Sequence, residues 1–218
     1  MLRDLLGVAI VSGLLLSMPA HVAARDNSNP SWPCVQRKIP TLTSTQVWDG
    51  PAVEDVKGWD GDPGVRDVVL MLSDRRVPLQ SAEARLAEYA KGETNELRSA
   101  HLTLVFAGVF DKLHTLRNSV MSGLERYLRA QQERAAELER QGEEIARLKI
   151  EASSNEAAKA KLDAALERFA WAQKIFEERQ ESLTFACELP VRIDARIFAL
   201  GKAASELIKG GEGDVSAP

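Results

Sequence analysis

From Leu102 onward, large apolar residues recur with the period of a coiled coil. Leu102, Phe106, Val109, Leu113, Leu116 and Val120 step by four, three, four, three and four. One side chain every 3.5 residues draws a seam along a helix, and that seam must be buried against another helix. The following step, from Val120 to Leu124, is again four, which reads as a stutter in the heptads. The seam then continues through Leu128, Gln131, Ala135, Leu138, Ile145 and Leu148, with fewer large apolar residues beyond Leu128. A second seam follows: Leu162, Leu166, Phe169, Trp171 or Ala172, Ile175 or Phe176, Gln180, Leu183 and Cys187.

Between the two seams lie Ala152, Ser153, Ser154, Asn155 and Glu156. Ser153 and Glu156 have capping-box spacing, and short polar side chains compete with a helix for its own backbone groups. The expected arrangement is therefore an antiparallel hairpin over about 95–189. The alternative is one continuous rod, which no Gly or Pro forbids at this point. In the hairpin, counting back from the turn sets Cys187 beside the Val120 region. The well-filled near half of the seam is expected inside a helical body. The thin far half is expected to project as a two-helix arm.

Asp62 followed by Pro63 reads as an N-cap with proline in the first turn, starting a helix with Val65, Val68, Val69, Met71 and Leu72 on one face. Ser81 is the expected cap of a second helix over 82–90. Pro190 is expected to interrupt the return helix, because proline cannot donate the backbone bond, and a last amphipathic helix would follow through Leu207. The fold class is thus all-α: a helical domain over 62–209 ending in a polar tail, 210–218. Residues 25–61, with Pro30, Pro33, Pro40 and Pro51, read as an irregular arm laid on that body and fixed by Trp32, Trp48, Trp59 and Cys34. The tripeptide Trp-Asp-Gly occurs at 48–50 and 59–61, and reads as a pair of turns beside helix starts.

Residues 1–24 have the layout of a cleavable secretory signal. Arg3 gives a positive end, Leu5 to Met18 is an uncharged apolar run, and Val22, Ala23 and Ala24 supply small residues for cleavage. An uncleaved anchor is the alternative, although the run is shorter than the span of about 20 residues a bilayer requires. Export, with a periplasmic destination, is the expectation. Two cysteines in such a compartment, Cys34 and Cys187, suggest one disulfide tying the arm to the distal helices.

The chemistry-bearing residues are few. His101 and His114 stand thirteen positions apart on one helix, too far to share a metal ion through a single helix turn. No serine lies in a nucleophile-elbow pattern, and neither cysteine belongs to a C-x-x-C pair. Gly58, Gly61 and Gly64 lack the lysine of a phosphate loop, and Asp60, Gly61 and Asp62 lack the spacing of a calcium loop. A net charge of −4 with interspersed signs leaves no basic stripe for nucleic acid. No catalytic residue, cofactor or metal is expected. The aromatic residues Phe169, Trp171, Phe176 and Phe185 suit helix packing or, alternatively, a small-ligand pocket.

The stretch 129–151 is rich in charges of both signs, with spacings such as Glu143 to Arg147 that favour ion pairs. Arg129, Glu133, Arg140, Glu143 and Arg147 make up the expected partner-docking face, because a thin seam can accept a further helix. In periodicity, Leu102 to Cys187 resembles the periplasmic hairpins of adaptor proteins in efflux and secretion systems. Those proteins flank the hairpin with β-rich lipoyl halves. No such strands are read here, so no function is carried over. The expectation is a non-enzymatic periplasmic coiled-coil protein that serves scaffold, assembly or chaperone roles with an unidentified envelope protein. Self-association into a homo-oligomer is left open. A helical small-ligand or metal-binding module is the alternative.

Overall fold

The computed structural model describes residues 32–214. The signal reading of 1–24, the first residues of the arm and the last four of the tail lie outside them. Among the described residues four α-helices follow one another: α1 (Pro63–Ser73), α2 (Leu79–Gly92), α3 (Asn95–Glu151) and α4 (Glu156–Asp214). No β-strand occurs among the described residues. The fold is an all-α helical hairpin, with α3 and α4 packed against each other. At 1.5 Å per residue, the 57 residues of α3 extend roughly 85 Å.

The turn lies where short polar residues cluster, but the capping differs from expectation. The Asn155 side chain, not that of Ser153, accepts from the Ala157 amide at 2.9 Å. The Ser153 hydroxyl instead donates backward to the Ile150 carbonyl at 2.6 Å, closing the end of α3. From this turn the antiparallel register runs as counted. Gln131 donates to the Phe176 carbonyl, Tyr127 to that of Arg179, and Met121 packs with Cys187.

The seams differ in detail. On α3 the fully buried line passes through Leu113, Arg117, Met121 and Leu124, while Leu116 and Val120 are half-buried. The stutter thus falls at Arg117, where the arm crosses α3 and turns that face inward. On α4, Ala165, Ala172 and Phe176 face the seam, whereas Leu166, Trp171, Ile175 and Gln180 are exposed. α4 also runs unbroken through Pro190 and past Gly210 to Asp214, so the expected interruption and separate last helix do not occur. Losing the proline's backbone bond costs about 3 kcal/mol in a helix interior. Burial of Cys187 on one side and of Ile193 and Ile197 on the other holds both flanks in one helical line.

The body surrounds the near half of the hairpin. α1 presents Val65, Val68, Val69 and Leu72 to it, and the Asp62 carboxylate caps the helix by accepting from the Val65 amide at 3.0 Å. α2 begins at Leu79, earlier than a Ser81 cap would place it, because the Pro78 carbonyl already accepts from the Ala82 amide. Two arginines from the long helices close the short ones. Arg196 donates to the carbonyls of Leu72 and Val77, and Arg98 to those of Ala90 and Glu93. A cation there satisfies the free carbonyls and opposes the negative end of the helix dipole.

Among the described residues of the arm, 32–61, the chain is irregular apart from two 3₁₀ turns, Ser44–Gln46 and Trp59–Gly61. Trp48 stacks on Phe106 with ring centroids 4.2 Å apart and donates to the Pro51 carbonyl. Trp59–Gly61 does adjoin a helix start, whereas Trp48, Asp49 and Gly50 stand away from any. Two glycines make the arm's approach feasible. A methyl group at Gly108 would meet Trp59 at 2.7 Å, and one at Gly201 would overlap the Val47 carbonyl oxygen.

Candidate interaction surface

Cys34 and Cys187 are bonded, with Cα atoms 5.5 Å apart. Both are buried in a small cluster with Trp32, Met121 and Leu124. This link marks the boundary between body and arm. Next to it, the Arg117 guanidinium is buried, with 1% of its side chain exposed. It donates to Asp194 on α4 at 2.6 Å and to the Ile39 carbonyl of the arm at 2.8 Å. One charged group therefore joins α3, α4 and the N-terminal arm at the root of the hairpin. Sequence reasoning missed it, since an arginine one position from an apolar seam carries no distinguishing mark.

Beyond Glu125, which pairs with Lys38 of the N-terminal arm, the packing among the described residues is between the two long helices. Their shared core there is a cluster of Ile145, Leu148 and Ala165, flanked by Leu162 and Phe169. Arg129, Glu133, Arg140, Glu143 and Arg147 are all exposed and fall on one outer line of α3. Arg140 pairs with Glu137, and Glu143 and Arg147 do not form the ion pair their spacing suggested. Exposed pairs of this kind contribute little to stability, so the charges leave the arm's surface free to meet something else.

The four aromatic residues of α4 divide. Phe169 and Phe176 turn toward α3, while Trp171 and Phe185 are 61% and 72% exposed. None of the four lines either of the clefts beside the N-terminal arm.

The two histidines lie in different surroundings. His101 meets the Glu93 carboxylate at 2.7 Å. His114 stacks on Phe110 and approaches Asn118 at 3.3 Å. Among the described residues, no three or more of His, Cys, Asp and Glu gather where they would hold a metal ion.

His114 does border a cleft of about 670 Å³ between the arm and α3, with Ser44, Glu54, Trp59, Phe110 and Asp111. There the Ser44 hydroxyl donates to Glu54, which holds that carboxyl below its usual range. A more apolar groove of about 560 Å³ lies on the other side of the arm, between Ile39, Leu42, Met121, Val191 and Phe198. Among the described residues, no helix is long and apolar enough to cross a membrane.

Comparison with known proteins finds no matching family model, no matching curated protein and no matching solved structure. The fold and surface define a class only: an all-α hairpin protein whose arm is tied to its body by one disulfide.

Proposed function

We propose that this chain is a non-enzymatic interaction protein of the cell envelope, with a disulfide-clamped body that presents a two-helix arm to partner proteins. The observation that carries this reading is the arm itself. Beyond Leu128 it buries only a narrow seam, and Arg129, Glu133, Arg140, Glu143 and Arg147 stand exposed along one line of α3. A long, thin arm adds little to the core of its own domain, whereas it extends the surface available to a partner. The disulfide is compatible with an oxidising compartment outside the cytoplasm, and the secretory layout of residues 1–24 supports a periplasmic one. Scaffolding, assembly and chaperoning of another envelope protein all use such a surface.

Photo-crosslinking groups placed at Glu133, Arg140 and Arg147 in intact envelopes test the proposal, with mass spectrometry of the captured species. A specific second protein captured from these positions, and not from positions on the body, supports it. Capture of no other protein overturns it.

A second reading is a small-ligand module, favoured by the cleft at Ser44, Glu54, Trp59, Phe110, Asp111 and His114. It predicts a ligand-dependent rise in melting temperature that a His114→Ala substitution abolishes. Absence of stabilisation across a ligand screen, with no copurifying metal, removes it.

A further inference from the structure

Eight residues of α4 form a second line along the arm, away from both the seam and the charged face of α3. They are Lys161, Ala164, Arg168, Trp171, Ile175, Glu178, Ser182 and Phe185, stepping by three and four. All eight are exposed. Steps of three and four keep side chains on one stripe of a helix that follows a coiled-coil path. Trp171, Ile175 and Phe185 make this stripe apolar at its middle and at one end, and they stand 61%, 40% and 72% exposed, with the Lys174 ammonium 5.8 Å from the Trp171 ring centroid.

The order of residues says what would cover it. If the stripe meets its own copy antiparallel, with a two-fold axis passing between Trp171 and Ile175, every position finds a complementary one. Trp171 lies opposite Ile175 of the second copy, Arg168 opposite Glu178, Ala164 opposite Ser182, and Lys161 opposite Phe185. Each pair occurs twice, as an isologous interface demands. The central four positions carry most of the attraction: two Trp–Ile contacts flanked by two Arg–Glu pairs. A parallel pairing would set Arg168 against Arg168 and Glu178 against Glu178, which repels. Arg168 has no ion-pair partner among the described residues, and Glu178 only a 4.0 Å approach from the exposed Lys174. Both charges are therefore available to a second chain.

We infer that the α4 stripe is a self-association surface, through which two copies of this protein join antiparallel along their arms. This goes beyond the envelope-partner reading and does not rest on it, since the proposed partner face lies on α3. A dimer so built displays two copies of that face.

The test is the mass in solution of the full disulfide-bonded protein, by sedimentation equilibrium from about 1 to 100 μM, a range that brackets ordinary specific affinities. Wild type is expected to dimerise, and its tryptophan emission, to which Trp32, Trp48 and Trp59 also contribute, to shift to the blue as Trp171 is covered. Arg168→Glu and Glu178→Arg are each expected to be monomeric, with unchanged helical circular dichroism, because both positions are exposed. An equimolar mixture of these two variants is expected to dimerise again, since each then meets the opposite charge. The double variant R168E/E178R is expected to dimerise on its own. A monomeric wild type over the whole range overturns the inference. So does a dimer that survives both single charge reversals, or a mixture that stays monomeric. Crosslinking to a different protein through α3 is unaffected by either result, so the two readings fail separately.

Discussion

Removing the Cys34–Cys187 link is expected to destabilise the protein through its unfolded state. The bond closes a loop spanning 153 residues. In the chain-entropy model a loop of that length restricts the unfolded chain by about 5 kcal/mol. Both half-cystines are buried beside Trp32, Met121 and Leu124, so replacing both with alanine also removes some packing. For a chain of this size, 1 kcal/mol shifts the melting temperature by roughly 2–4 °C, so the linkage term corresponds to roughly 10–20 °C. The assay is urea denaturation followed by circular dichroism, on wild type and on Cys34→Ala/Cys187→Ala, with and without reductant. The wild type should lose most of the difference when reduced, and the double variant should be indifferent to reductant. If oxidised and reduced wild type unfold at the same urea concentration, the link does not limit the unfolded chain and the reasoning fails. If the variant is far less stable than reduced wild type, the sulfurs act as core atoms rather than as a tether.

Arg117→Ala is expected to cost about 3 kcal/mol, because it leaves Asp194 facing an emptied site. Arg117→Met should cost clearly less by filling the space, and equal losses measured by urea titration would count against this account. Gly201→Val should destabilise by about 1–3 kcal/mol through overlap with the Val47 carbonyl, whereas Gly142→Ala, which meets open space within α3, should stabilise by up to about 1 kcal/mol. Thermal melts of the two variants check the contrast. Burial, followed by the neighbouring Glu93 carboxylate, pushes the Tyr89 hydroxyl above the usual tyrosine range. A raised folded-state value means that stability is full below the unfolded value of about 10 and falls as pH rises past it, because only the unfolded chain ionises readily. Tyr89→Phe should flatten that alkaline loss in melts between pH 9 and 11, and an unchanged slope would refute it.

Local signals in the chain were enough for the helical class and for much of its layout. Heptad spacing depends only on neighbours three and four positions apart, so α3 and the part of α4 before Pro190 were legible. So was the turn, because Ser153, Ser154 and Asn155 compete with the helix for its backbone groups. Once the turn is placed, counting along two antiparallel helices sets Cys187 beside the Val120 region, where it packs with Met121, while the bond to Cys34 was read from two cysteines in an exported chain. The Asp62 cap and the apolar face of α1 were equally local.

What remained depended on groups far apart in the chain. Pro190 is a helix breaker by itself, yet it sits inside α4 because packing on both sides outweighs one lost backbone bond. The burial of Arg117 in place of Leu116 depends on Asp194 and on the Ile39 carbonyl, at separations of 77 and 78 residues. The choice of Ala172 over Trp171 for the seam fixed which aromatic residues reach solvent, and with them the surface offered to a second chain. An amphipathic pattern states that a helix has an inside; which of two adjacent residues faces it is decided by the helix and the arm that arrive from elsewhere.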